Sequence, residues 1–254
     1  MFDLLKIRRR HGRPFVPDLR KAAVAEPFRG RPELSADRCT RCGRCEAVCP
    51  SAAVTAEPLR IDLGRCVFCG DCQEVCAERA IVFTTEHRLA AFRLEDLVVA
   101  AAPAPSGDVA SAAAPIRREI HRLFGRSLKL RQVSAGGCNG CEMELNACGN
   151  VNFDMGRFGV EFVASPRHAD GVVITGPISE NMAAALDDTW RSVPEPRLVI
   201  AVGACALSGG VFATSPALRR EFLEKHPVDL WVPGCPPHPW TIVDGILRLM
   251  GVVK

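Results

Sequence analysis

Cysteines are the residues in this sequence whose type and spacing point most directly to chemistry. The 254-residue chain has 13 of them. Two groups each read C-x2-C-x2-C-x3-C, and the second begins 27 residues after the first (66 − 39 = 27). They consist of Cys39, Cys42, Cys45 and Cys49, and of Cys66, Cys69, Cys72 and Cys76. The N-terminal sequence lacks the apolar segment of a secretory signal, so we expect a cytoplasmic chain in which clustered cysteines bind metal rather than form disulfides.

The doubled spacing is typical of bacterial ferredoxins, in which the fourth cysteine of each run binds the other run's four-iron cluster. This predicts one cluster on Cys39, Cys42, Cys45 and Cys76, and another on Cys66, Cys69, Cys72 and Cys49. We expect Gly43 and Gly70 to allow tight loops, and each fourth cysteine to begin a helix. Ala77 replaces the proline that follows the first run, which removes no ligand. Two zinc sites are the alternative, but they do not require this spacing.

A third group of cysteines is spread over three distant segments, "GGCNGCE", "GACALSGG" and "VPGCPP". Its members are Cys138, Cys141, Cys205 and Cys235. The predicted strands "LKLRQV", "RLVIAV" and "VDLWV" precede these segments. Since ligands gather outside the carboxyl ends of parallel strands, the three loops can converge on one cluster. We expect the glycines at 136, 137, 203 and 234 to allow close approach and to offer amides to sulfur. We expect Pro236-Pro237 to begin the final helix.

The elements that must position these cysteines fall into two domains. Residues 1–99 hold short, turn-rich elements and are interpreted as a ferredoxin-like α+β domain with two clusters. Residues 100–115 are rich in Ala, Pro, Ser and Gly, which predicts a semi-extended linker. Residues 116–254 alternate strand-like runs, including "VEFV" and "GVVIT", with helix-like runs near 183–190, 217–225 and 242–250. This alternation predicts an α/β fold, a flavodoxin-like open parallel sheet.

Two families of proteins resemble the two parts of the chain. Residues 1–98, with "FRGRPELSADRC" and "GRCVFCGDCQEVC", resemble the ferredoxin-type subunit of formate hydrogenlyase and of respiratory complex I. Residues 127–251, with "RFGVEFVASPRHAD", "GACALSGGVF" and "VPGCPPHP", resemble the small subunit of energy-converting nickel–iron hydrogenases. They also resemble the complex I subunit that carries the terminal cluster. Complex I relatives have two adjacent cysteines in the first loop, whereas Cys138 and Cys141 have the C-x2-C spacing of the hydrogenase branch.

The resemblance implies a non-catalytic electron-transfer subunit with three 4Fe–4S clusters. Its implied partners are a hydrogenase-type or complex I-type large subunit and membrane subunits, with a formate dehydrogenase or a ferredoxin as candidate electron donor. The alternative is a subunit of a complex I-related quinone or ferredoxin oxidoreductase that lacks nickel. A further alternative is a non-redox scaffold with structural metals. We expect a peripheral position on the cytoplasmic face of the cell membrane, and the net charge of +3 gives no indication of nucleic-acid binding.

Several other polar residues have less specific predicted roles. Cys148 is interpreted as a small buried side chain, and Glu142 as a helix-start carboxylate, with proton relay or partner contact as its alternative. Arg157 and His168 are interpreted either as neighbours of the cluster or as surface or partner contacts. His238 is not needed as a ligand. The basic N-terminus is expected to be solvated; its charged residues are Lys6, Arg8, Arg9, Arg10 and Arg13.

Overall fold

A computed structural model describes residues 2–12, 15–18, 21–101, 122 and 127–253. The chain begins with helix α1 (Phe2–His11), and its basic side chains from Lys6 to Arg10 are exposed, as the sequence predicted. Arg13 and residues 102–115 of the predicted linker lie outside the described residues. Among the helices that are described, none is long and apolar enough to cross a membrane.

The 27-residue cysteine repeat is also a repeat of structure. The first unit consists of β1 (Pro32–Leu34), α2 (Arg44–Ala47) and β2 (Val54–Ala56), and the second of β3 (Leu59–Asp62), α3 (Asp71–Glu74) and β4 (Ile81–Phe83). Corresponding elements start 27 residues apart (59 − 32, 71 − 44, 81 − 54). Strand β1 pairs antiparallel with β4, and β3 pairs antiparallel with both β2 and β5 (Val98–Ala100). Ala100, where the predicted linker starts, still pairs with Arg60 in this sheet.

The short helices of the repeat begin earlier than the sequence predicted. Gly43 and Gly70 adopt left-handed conformations, with φ of 73° and 90°, and the one-turn helices α2 and α3 follow directly. Each helix therefore contains the third cysteine of its motif. Cys49 and Cys76, the fourth cysteines, lie beyond the helix ends. The prediction that they begin helices is wrong, because the glycine turn comes before the third cysteine.

Five parallel strands form the sheet of the C-terminal domain. They are β6 (Leu128–Ser134), β7 (Val160–Phe162), β8 (Gly171–Thr175), β9 (Leu198–Val202) and β10 (Leu230–Val232). Their order across the sheet is β10-β9-β8-β6-β7. Numbered along this domain, that order is 2-1-3-4-5, the flavodoxin-like arrangement. The predicted parallel sheet is thus confirmed.

Helices cover both faces of this sheet. They are α4 (Gly140–Ala147), α5 (Glu180–Ser192), α6 (Ala204–Ser208), α7 (Glu221–Lys225) and α8 (Pro239–Leu249). Side chains of α4 and α8 share a core with Val173 of β8, whereas α5 packs with its neighbour Val172 on the opposite face. The helices expected over 183–190 and 242–250 are confirmed.

Two predicted helix starts are wrong. Within the region 217–225 only α7 is helical, since Leu218 forms an antiparallel bridge with Ser179 instead. Helix α8 begins at Pro239, with His238 as its N-cap, and not at the double proline. Proline at the first helical position loses no intrahelical hydrogen bond, which accounts for the choice of Pro239.

The two domains contact each other directly. The Ala91 N–H donates to the Trp231 carbonyl at 2.9 Å, and the Trp231 N–H donates to the Ala91 carbonyl at 2.8 Å. This bridge adds a segment of the N-terminal domain to β10, an edge strand of the parallel sheet. Ala206 and Leu207 of α6 also join the core of the N-terminal domain. The cysteine groups of the two domains are therefore held together by packing as well as by the covalent connection.

Replacing Gly245 of α8 tests this contact. A Cβ atom there would lie 2.7 Å from the Cβ of Ala90, which has no alternative rotamer. Overpacking costs about 1–3 kcal/mol, which outweighs a gain in helix propensity of about 1 kcal/mol. We expect Gly245→Ala to lower the melting temperature of the full chain by about 2–4 °C. Gly156→Ala is the matched control, because its Cβ meets nothing within 4 Å. A Gly245→Ala variant as stable as this control would contradict the contact.

Candidate metal centres

A cavity of about 320 Å³ lies in the N-terminal domain between the two repeat units. Four cysteines line it: Cys39, Cys42, Cys45 and Cys76. Burial raises the pKa of the Cys45 thiol, and repulsion from Cys39 and Cys76 adds to the effect. The structure thus brings together the four cysteines of the first predicted set, including the one contributed by the second motif.

The second predicted set gathers around Cys49. This thiol interacts electrostatically with Cys66, Cys69 and Cys72 of the following motif. Burial, together with repulsion from neighbouring thiols, raises the pKa values of Cys66 and Cys72 to about 12. Cys72 also interacts with Cys45, so the first and second sets adjoin each other.

Backbone amides bind the sulfur atoms of the fourth cysteines in both repeat units. The Ala53 N–H donates to Cys49 Sγ at 3.2 Å, and the Ala80 N–H donates to Cys76 Sγ at the same distance. These donors are again 27 residues apart (80 − 53 = 27). Ala77 in place of proline therefore leaves the second turn with the same sulfur contact as the first.

The third predicted set lies at the carboxyl edge of the parallel sheet. Cys141 interacts electrostatically with Cys138, Cys205 and Cys235, which places four thiols from three loops together. Burial raises the pKa of Cys141 to about 12 and that of Cys205 to about 11. Cys138 and Cys235 are exposed. Cys141 and Cys205 are thus partly buried, whereas Cys138 and Cys235 lie at the surface.

Glycine allows the three loops of this third set to approach one another. A Cβ on Gly203, whose φ is +90°, would lie 2.5 Å from Cys141 Sγ. The Gly203 N–H donates to the Val232 carbonyl at 2.8 Å and not to sulfur. The prediction that this glycine donates its amide to sulfur is therefore wrong. Its missing side chain instead leaves room for Cys141 Sγ.

Glu142 is a buried residue of this site, although the sequence predicted only a helix-start carboxylate. It lies in the first turn of α4, as expected, but only 6% of it is exposed. Its Oε1 accepts hydrogen bonds from Ser134 Oγ at 2.6 Å and Thr175 Oγ1 at 2.7 Å. Burial raises the pKa of Glu142, but these hydrogen bonds outweigh it and leave the pKa below its usual value. The carboxylate connects the helix that carries Cys141 to the ends of β6 and β8. The hydroxyl residues that end these two strands, Ser134 and Thr175, were the sequence signal for a buried acceptor.

The other polar residues mostly have structural surroundings. Cys148 is fully buried, as predicted, and its Sγ donates to the Glu144 carbonyl at 3.2 Å. His238 Nδ1 accepts from a backbone N–H at the start of α8. Arg157 donates to the Val16 carbonyl at 2.6 Å, and this contact does not involve the cysteines. His168 is exposed.

The loops that carry the second and third sets border one cavity at the domain interface. A cavity of about 210 Å³ there is lined by Phe68, which lies between Cys66 and Cys69, and by Pro236, which follows Cys235. The rings of Phe28 and His238 close one side, with their centroids 5.3 Å apart. The loops that carry these two sets therefore adjoin.

The donor set fits iron–sulfur clusters. Every ligand in the three sets is a thiol, and the buried ones repel one another, so a bound cation would offset the cost of deprotonating them. Within the described residues, no three His, Cys, Asp or Glu side chains converge on a position for a single metal ion. In a four-iron cube each thiolate binds a different iron, so the ligands surround a volume instead of a point.

Comparisons with known proteins agree with this geometry. A profile described as "NADH ubiquinone oxidoreductase, 20 Kd subunit" matches residues 138–249, and a "4Fe-4S dicluster domain" matches residues 31–77. The chain is 40% identical over 129 residues to the probable membrane-bound hydrogenase subunit mbhJ of Pyrococcus furiosus. That match covers 51% of this chain and 77% of the relative.

Relatives of both kinds of complex are found at similar identity. Formate hydrogenlyase subunit 7 of Escherichia coli is 36% identical over 141 residues, 56% of this chain and 55% of that protein. An NADH-quinone oxidoreductase subunit of Desulfovibrio desulfuricans is 44% identical over 132 residues, 52% of this chain and 70% of that protein. With a sheet, loops and cysteines arranged as described, the chain belongs to the NADH ubiquinone oxidoreductase 20 Kd subunit family, with a 4Fe-4S dicluster domain on its N-terminal side.

Proposed function

We propose that this chain is an electron-transfer iron–sulfur subunit of a membrane-associated hydrogenase complex. The observation that carries the proposal is the gathering of twelve cysteines into three sets of four, on two domains packed against each other. In this proposal residues 1–99 hold two 4Fe–4S clusters, residues 116–254 hold a third, and residues 100–115 join them.

The arrangement supports a single route through the chain. The first and second sets adjoin at Cys45 and Cys72. The second and third adjoin where Phe68 and Pro236 line one cavity. The second set is therefore the intermediate station in this proposal, because its loop adjoins both the first set and the loop of the third. Bound clusters supply one-electron chemistry at potentials tuned by hydrogen bonds to sulfur and by solvent exposure.

The exposed end of this route supports a large subunit as partner. Cys138 and Cys235 reach the surface of the carboxyl edge. Met143 is 65% exposed beside Cys141, and Val211 and Phe212, after the Cys205 loop, are 53% and 47% exposed. Apolar side chains around exposed ligands favour burial by another protein. We propose a hydrogenase-type large subunit as that protein, with membrane subunits of the complex holding the chain at the cytoplasmic face.

A complex I-related oxidoreductase without nickel is the second candidate. It is favoured by the 44% identity to the NADH-quinone oxidoreductase relative, whereas the C-x2-C spacing of Cys138 and Cys141 favours the hydrogenase. The large subunit decides between them. Nickel in the purified complex, and C-x2-C pairs near both ends of the large subunit, would identify a hydrogenase.

Metal analysis of the anaerobically purified chain tests the clusters themselves. Three four-iron cubes give about twelve irons and about twelve acid-labile sulfides per chain. The measurement is iron and sulfide per protein, with zinc determined in the same sample. Stoichiometric zinc, or iron without sulfide, would overturn the electron-transfer proposal in favour of a structural metal site.

Replacement of Cys205 should affect one cluster only. We expect Cys205→Ser to abolish the electron paramagnetic resonance signal of the C-terminal cluster and to leave both N-terminal signals, because the cysteines that act on Cys205, Cys138 and Cys235, belong to the third set. Cys148→Ser is the matched control, since its thiol is buried nearby but outside that set. Loss of the same signal in both variants would show that the effect comes from packing and not from ligation.

The exchange of ligands between the repeat units has its own test. We expect Cys49→Ala to lose the same signal as Cys69→Ala, although Cys49 belongs to the motif of Cys42 in sequence. Cys42→Ala should lose the other N-terminal signal. The comparison is among the spectra of the three reduced variants. If Cys49→Ala matched Cys42→Ala, each motif would bind its own cluster and the exchange would be wrong.

A further inference from the structure

The guanidinium of Arg220 lies half-buried against the loop that carries Cys205. Its Nη1 donates to the carbonyls of Cys205 at 3.1 Å and Pro177 at 3.4 Å. Its Nη2 donates to the carbonyls of Ala206 at 2.8 Å and Leu207 at 2.9 Å. One side chain thus binds three successive carbonyls of α6 and one carbonyl of the β8–α5 loop.

These contacts fix the position of Cys205. The carbonyls at the C-terminal end of a helix have no intrahelical partner, and α6 has only five residues. The planar fork of arginine can bind several such carbonyls at once, which a lysine cannot do. Arg220 therefore anchors the Cys205 loop from the start of the next helix, α7.

Arg220 also brings a positive charge to the third set. The guanidinium interacts electrostatically with the Cys205 thiol and opposes the burial that raises the pKa of that thiol. Burial lowers the pKa of Arg220 itself, while Cys205 and Glu224 act in the opposite direction. An arginine keeps its charge in such surroundings.

We infer that Arg220 is a positioning residue that anchors the Cys205 loop and raises the reduction potential of the C-terminal cluster. One electron taken up there adds one negative charge, and the partly buried guanidinium, held at the carbonyls of residues 205–207, attracts that charge more strongly than an equally distant cation would across water. The inference rests on the proposed function, since it requires a cluster on the third set. Its consequence is that electrons arriving from the N-terminal domain are favoured to reside at the partner-facing end.

The neighbouring Arg219 provides a matched control. Its Nη2 donates to Glu180 Oε1 at 2.7 Å, and its Nη1 donates to the Pro216 carbonyl at 2.7 Å. The guanidinium of Arg219 thus forms an ion pair at the surface and does not bind the carbonyl of Cys205. Arg219→Gln therefore removes a positive charge without touching the loop.

The experiment is a potentiometric titration of the full, anaerobically purified chain, followed by electron paramagnetic resonance. We expect Arg220→Gln to make reduction of the C-terminal cluster less favourable by roughly tenfold, or about 59 mV for a one-electron couple. Arg219→Gln should leave that potential unchanged. Arg220→Lys should have a reduction potential close to that of the parent chain, because it keeps the positive charge. A smaller fraction of its chains should bind this cluster, because lysine lacks the planar guanidinium that binds several carbonyls.

Each outcome decides the inference. An unchanged or raised potential in Arg220→Gln would overturn it, as would an equal shift in Arg219→Gln. If Arg220→Gln loses the cluster, Arg220→Lys decides: a potential near that of the parent chain supports the inference, and one lowered by the full tenfold equivalent overturns it. A parent chain without a C-terminal signal would overturn the proposed function together with this inference, whereas an unchanged Arg220→Gln overturns the inference alone.

Discussion

Convergence of thiols is the constraint on which the rest of this structure depends. In each of the three sets, cysteines approach closely enough to repel one another, and burial raises the pKa of the inner ones, such as Cys66 and Cys141, to about 12. Cysteine binds metal as the thiolate and not as the thiol, so a cationic group would offset the repulsion within each set. Tight turns, glycines and hydrogen bonds to backbone carbonyls around the sets hold together sulfur atoms that would otherwise move apart.

The two domains meet this constraint in different ways. In the N-terminal domain three cysteines of each set come from one short loop, and a turn that begins at Gly43 or Gly70 brings them together locally. In the C-terminal domain the ligands lie as far apart as Cys138 and Cys235 in sequence. There the parallel sheet brings the cysteines together, because β6, β9 and β10 end at the same edge. Glu142 and Arg220 then tie two of these loops to the sheet and to the next helix.

Direct packing makes the two domains one conductor. The backbone bridge between Ala91 and Trp231 extends the parallel sheet into the N-terminal domain, and the cavity lined by Phe68 and Pro236 places the loops of two cluster sets side by side. A flexible tether alone would leave the distance between clusters variable, which suits neither rapid electron transfer nor a fixed order of stations. In the proposed electron transfer, the interface therefore fixes the spacing between the two domains.

The sequence by itself determined the grouping of the cysteines, the 27-residue repeat, the five strands and the class of the sheet. The N-terminal grouping, the repeat and the strands depend on spacing and periodicity within short segments, which sequence reports directly, and the C-terminal grouping follows from the position of each cysteine after a predicted strand. The tertiary structure alone decided where α2, α3 and α8 begin, that Glu142 is buried against Ser134 and Thr175, and that Arg220 reaches the carbonyls after Cys205. Each of these results from contacts between segments distant in the chain, or from competition among several possible cap residues, and neither can be read from local residue types.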